Sequence, residues 1–122
     1  MSFISHFEDV IPYKTKDGSR IYELMHPSKQ ESRNQSLALA VILPGEKTKL
    51  HTHLVSEELY YVQSGKGKMT LENDYFEIKP GDTICILPGQ QHCVENTGSE
   101  ALKILCCCAP AYNHDDTKTD IA

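Results

Sequence analysis

The feature that most constrains this chain is the regular return of turn signals. From its middle onward they fall at Gly45, Gly65-Lys66-Gly67, Asn73-Asp74, Pro80-Gly81-Asp82, Pro88-Gly89 and Thr97-Gly98. Glycine supplies the positive φ that tight turns need, while proline and Asn/Asp favour turn starts, so each signal caps the length of any element beside it. The intervals between them are too short for ordinary helices. They hold Met69 to Glu72, Tyr75 to Ile78, Thr83 to Leu87, His92 to Glu95 and Ala101 to Cys108, each rich in β-branched or aromatic residues. Short strands at such spacing belong to an all-β barrel or sandwich. Upstream, Arg20 to Met25 alternates like a strand after the Asp17-Gly18 turn, and Leu37 to Leu43 is a continuous apolar run that reads as a buried strand. Residues 1 to about 12 carry Phe3, Ile4, Phe7, Val10 and Ile11, consistent with either a helical turn or an extended arm. After Ala109-Pro110 the chain becomes polar and is expected to trail over the surface.

Within this frame the segment from Gly45 to Gly65 carries the chemistry. His51 and His53 are two residues apart, a spacing that turns both imidazoles to one face of a strand. Glu58 opens the next strand-like run (Leu59, Tyr60, Tyr61, Val62), which can return antiparallel and bring a carboxylate to the histidines. The other histidine set in strand-like sequence behind a turn is His92. Three neutral imidazoles and a carboxylate suit a divalent transition ion (Fe, Mn, Ni, Co, Zn or Cu) better than Ca or Mg. The expected metal set is therefore His51, His53, Glu58 and His92. Glu58 and Tyr60, which share a face, are the candidate catalytic groups, although a strand tyrosine is more often a packing residue. Lys49 is expected to be solvated, and His6, His26 and His114 to lie at the surface.

Composition narrows the partners. The chain has 122 residues, the size of one domain, and 17 acidic against 12 basic side chains, the latter scattered, which disfavours nucleic acid and anionic membranes. No stretch is long and apolar enough to span a bilayer, and the N-terminus lacks the pattern of a signal peptide. The five cysteines, three of them adjacent at Cys106, Cys107 and Cys108, form no spaced disulfide framework, so reduced thiols and a cytoplasmic location are expected.

The two motif segments resemble the paired motifs of the cupin family. The first, G-x5-H-x-H-x4-E-x6-G, is met by Gly45, His51, His53, Glu58 and Gly65. The second, G-x5-P-x-G-x2-H-x3-N, is met by Gly81, Gly89, His92 and Asn96, with Leu87 standing where the family has its first proline. The resemblance implies a double-stranded β-helix (jelly-roll) fold over residues 37–112, with an N-terminal arm and first strands (1–36) in the same domain and a polar C-terminal tail (113–122). It also implies one bound divalent metal. It does not specify a reaction, because one fold hosts many chemistries. The expectations are a small metalloenzyme of isomerase or dioxygenase type acting on a small polar substrate, or a metal-dependent binding protein for a small molecule such as a carbohydrate. A homodimer is expected from the apolar residues Phe3, Ile4 and Phe7.

Overall fold

The computed structural model describes residues 1–119. Eleven strands follow in chain order: β1 (Tyr13–Lys14), β2 (Arg20–Met25), β3 (Ser36–Ile42), β4 (Thr52–His53), β5 (Glu57–Ser64), β6 (Gly67–Leu71), β7 (Asp74–Ile78), β8 (Thr83–Ile86), β9 (His92–Asn96), β10 (Leu102–Ala109) and β11 (Thr117–Lys118). Two single 3₁₀ turns, Phe7–Asp9 and His114–Asp116, are the helical elements among the described residues. The segment before Pro12 thus combines the two readings the sequence left open: one helical turn set in otherwise extended chain.

Six strands form one sheet in the order β1-β2-β3-β10-β5-β8, and three form a second in the order β7-β6-β9. Every strand pairing within these two sheets is antiparallel. Alternation decides which residues enter the core. Along β5, Glu58, Tyr60 and Val62 are buried while Glu57, Leu59, Tyr61 and Gln63 are exposed. The same period runs through β10, where Leu102, Ile104, Cys106 and Cys108 point inward. Inward residues of both sheets join one cluster: Ala40, Ile42, Val62 and Ile104 from the larger, Met69, Ile78 and Val94 from the smaller. Burying such aliphatic side chains stabilises by roughly 1.5–3 kcal/mol each before the entropy of ordering is set against it. The expected strand over Leu37 to Leu43 appears as β3, which runs from Ser36 to Ile42, and the ends of the apolar run depart from full burial, since Leu37 and Leu43 are exposed.

The turn glycine of the first motif has a steric reason. Gly65 adopts φ +83°, and a Cβ there would stand 2.6 Å from the Ala101 carbonyl oxygen. Only a residue without a side chain lets the β5–β6 turn pass under the start of β10.

The C-terminal segment differs from the surface tail the sequence suggested. β11 pairs antiparallel with β4, aligning Thr117 with His53 and Lys118 with Thr52. Asp116 then accepts from the backbone N–H groups of Val55 and Ser56 at 2.9 and 3.1 Å, anchoring the loop before β5. The polar side chains of this segment are spent on satisfying backbone donors, so a hydrophilic stretch became an integral strand. Residues 120–122 of the expected tail lie outside the described residues.

Candidate metal centre

The expected site residues come together. His51 and His92 face each other through a reciprocal pair of backbone hydrogen bonds, His51 N–H to His92 O at 3.0 Å and His92 N–H to His51 O at 2.9 Å. That bridge sets their rings 4.1 Å apart, with the His53 ring 5.4 Å from each. One ligand nitrogen from each of the three lies within 4.8 Å of the other two, and all three residues are buried. His53 is fixed from a further side by the second motif, because Gly89 N–H donates to the His53 carbonyl at 2.7 Å.

The tautomers follow from the partners of the Nδ1 atoms. His51 Nδ1–H donates to the Lys49 carbonyl at 2.7 Å, and His92 Nδ1–H donates to the Gln90 carbonyl at 3.0 Å. A carbonyl can only accept, so both rings carry a proton on Nδ1 and present Nε2 to the site. His53 Nδ1 lies 3.0 Å from Thr117 Oγ1, whose own hydroxyl donates to the Asn113 carbonyl, so His53 is the donor there as well. Locking of this kind is what ligating histidines need, since it orients the ring and raises its basicity.

Glu58 enters from β5. Its Oε1 is 3.1 Å from His53 Nε2 and 3.6 Å from His92 Nε2, and its Oε2 accepts from the Cys108 thiol at 3.1 Å. Glu58 and Cys108 are register partners across β5 and β10, which places the thiol under the carboxylate. Burial pushes the Glu58 carboxyl up, but the imidazoles of His53 and His92 outweigh it and hold the group ionised. For His53 burial acts downward and is overcome by the Glu58 hydrogen bond and charge, so the net direction is up. His51, with burial and the neighbouring His92 acting together, falls to about 4 and stands as the neutral ligand form. Burial keeps the Tyr60 hydroxyl and the Cys108 thiol protonated, with the Glu58 charge adding to both.

Whether these residues fit a metal is tested by a single atom. His92 Nε2 is fully buried and has no hydrogen-bond partner. Leaving a buried acceptor unpaired costs about 1–3 kcal/mol, and such atoms mark strain, catalysis or a missing ion. Here the orphan belongs to a histidine triad whose three Nδ1 atoms are all engaged, and the donor set suits a divalent transition ion. The residues fit.

Other positions follow the sequence reading only in part. Tyr60 packs as expected, buried and edge-on to His92 with ring centroids 6.0 Å apart, and it also lines the cavity above the triad. Lys49 contributes its backbone to the site and not its side chain. His26, expected at the surface, is half-buried with Nε2 2.7 Å from the Tyr112 carbonyl. Cys106 and Cys108 are buried and line the cavity too. Two contributors escaped the sequence reading altogether. Asp17, in the β1–β2 turn, puts Oδ2 3.4 Å from His51 Nε2, and Thr117 holds His53. Asp17 was visible only as half of a turn signal, and Thr117 as part of a polar tail.

Similarity to known proteins agrees with this picture. The chain is 51% identical over 114 residues to an uncharacterized protein of Methanocaldococcus jannaschii, covering 93% of this chain and 91% of that one. It is 29% identical over 93 residues to an oxalate-binding protein of Thermotoga maritima, covering 74% and 77% of the two chains. Its fold resembles the crystal structure of a predicted oxalate decarboxylase from Thermotoga maritima, with a TM-score of 0.77 at 22% identity over 88% of this chain and 99% of that one. Residues 38–108, spanning both histidine motifs, match the cupin domain, and this chain is a member of the cupin family.

Proposed function

We propose that the chain binds one divalent first-row transition ion through His51, His53 and His92 with Glu58 as the fourth donor, and is a small metalloenzyme of isomerase or dioxygenase type. The observation that carries this reading is the unpartnered, buried Nε2 of His92 beside two further imidazoles and an ionised carboxylate. A bound ion would supply Lewis acidity or a site for a chelated substrate. The chain's own residues supply the rest. Glu58 Oε1 faces the imidazoles as donor or proton acceptor, while Cys108 pins Oε2. The Tyr60 hydroxyl, kept protonated by burial, is available as a hydrogen-bond donor to whatever enters. The substrate is small, because the free space above the triad is about 50 Å³, and on that measure each water-sized group takes about 10–15 Å³.

Elemental analysis and calorimetric titration of protein purified without chelator test the metal. Uptake of one Fe, Mn, Ni, Co, Zn or Cu per chain supports the reading, and absence of any uptake overturns it. A binding role without turnover is the second reading, favoured by the oxalate-binding relative. Incubating loaded protein with small hydroxy-carbonyl compounds and recovering each one unchanged would favour it over the enzyme.

The proposal includes a cytoplasmic setting, supported by the five free cysteines, and a homodimer. Phe3, Ile4 and Ile11 are 85%, 63% and 86% exposed. Their segment is nevertheless tied to its own chain, by a bridge from Ser2 to Gln30 and a hydrogen bond from Ser5 Oγ to the Leu24 carbonyl. A second copy covering these side chains would account for apolar residues displayed on ordered backbone. Light scattering that gives a monomer at micromolar concentration would reject the dimer.

A further inference from the structure

One carboxylate at the site comes from outside both histidine motifs. Asp17 sits in the turn between β1 and β2, and its two carboxylate oxygens do different things. Oδ1 is saturated by three donors: Thr15 Oγ1 at 2.6 Å, Ser19 N–H at 2.8 Å and Ser19 Oγ at 2.6 Å. These bonds fix the plane of the group and leave Oδ2 facing His51 Nε2 at 3.4 Å. Glu58 approaches the triad from His53 and His92, whereas Asp17 approaches from His51, so charge is placed on both sides of the imidazoles. Glu23 adds a third carboxylate to the cavity wall, and no lysine or arginine lines that wall among the described residues. Lys16, beside Asp17 in sequence, is turned to the carbonyls of His114 and Thr117 at 3.0 and 3.1 Å.

We propose that Asp17 is a specificity-determining residue that makes the site select uncharged or cationic small polar molecules, such as hydroxylated or amino compounds, and disfavour dicarboxylates. This rests on the metal reading above. Three carboxylates against the two positive charges of a divalent ion leave the cavity net negative, and in a buried site a like charge within several ångströms is screened far less than in water. A dianion entering must approach that charge with no guanidinium or ammonium to receive its far end. A neutral chelator carrying a hydroxyl and a carbonyl meets no such opposition, and the Tyr60, Tyr13 and Tyr112 side chains on the same wall are suited to its polar and apolar parts. The ligand class therefore differs from the one in the name of the Thermotoga maritima relative.

The test compares wild type with Asp17→Asn, a substitution that keeps an oxygen acceptor for Thr15 and Ser19, removes the charge and puts an amide NH2 group in place of Oδ2. Metal is titrated into both proteins by calorimetry first, and all later steps are run at saturating metal. Oxalate and the uncharged probe glycolamide are then titrated into each. Tightening of oxalate by about tenfold or more in the variant, with glycolamide changed by less than twofold, supports the proposal. Equal changes for the two probes would indicate a merely structural role and overturn it, as would an unchanged oxalate affinity. Metal uptake intact but oxalate unmoved sinks only the role of Asp17. No metal uptake by wild type sinks the metal reading and this proposal together.

Discussion

Thr117 Oγ1 accepts a hydrogen bond from His53 Nδ1 at 3.0 Å across 64 residues of sequence, so β11 sets the ring of a central candidate ligand. The bond exists because β11 pairs with β4 and aligns these two residues directly. Thr117→Val keeps the shape and removes the acceptor. It is expected to lower stability by about 1–3 kcal/mol, through the unpaired buried donor, and to weaken metal binding by about 10–100-fold. Thr117→Ser should restore both. Thermal melts and calorimetric metal titration check this, and a Thr117→Val protein with wild-type metal affinity would remove Thr117 from the account.

Cys108 offers a second handle on the same centre. Its thiol donates to Glu58 Oε2, and the low polarity around it keeps the proton on sulfur. Cys108→Ala is expected to free the carboxylate and weaken metal binding by about tenfold, in the range seen for lost outer hydrogen bonds. Cys108→Ser, which keeps a donor, should stay near wild type. Equal behaviour of the two variants in a metal titration would show that the hydrogen bond is without consequence.

Gly65 tests the fold independently of the metal. Alanine there would need a left-handed conformation, costing about 1–2 kcal/mol, and would also drive its Cβ against the Ala101 carbonyl. Gly65→Ala should therefore lose more than about 2 kcal/mol in denaturant unfolding, with metal absent from the sample. A loss below about 0.5 kcal/mol would mean the turn relaxes away from β10.

These positions also mark how far the sequence could be read. The inward parity of Glu58, Tyr60 and Val62, and the pairing of His51 with His53, depend only on alternation along a strand, and were legible for that reason. His92 was legible because a turn and a strand surround it. Thr117 and Asp17 were not, since each reaches the site through chain crossings, β11 onto β4 and the β1–β2 turn onto the triad, that no local period encodes. Cys108 falls between the two. Its parity was readable, but its contact with Glu58 needs the register of β10 against β5, which a slip of one residue would undo.

Loss of one ligand should separate the metal from the fold. The apolar cluster between the sheets does not include His53, so His53→Ala should remain folded, unlike a domain whose fold is its metal site. Metal held at a hundredfold over its dissociation constant adds about 2.7 kcal/mol to wild type, and chelation should take it away. The variant should melt with the stripped protein and gain nothing from added metal.

The most direct test of the account is the metal content of the protein itself. Wild type and His92→Ala, purified without chelator and reconstituted with each of Fe, Mn, Co, Ni, Cu and Zn, are compared by elemental analysis after desalting. One ion per chain is expected in wild type for at least one of these metals, with loss of most of it in the variant, whose substitution removes the buried, unpartnered nitrogen. Wild type that retains no metal, or a variant that retains as much as wild type, would contradict it.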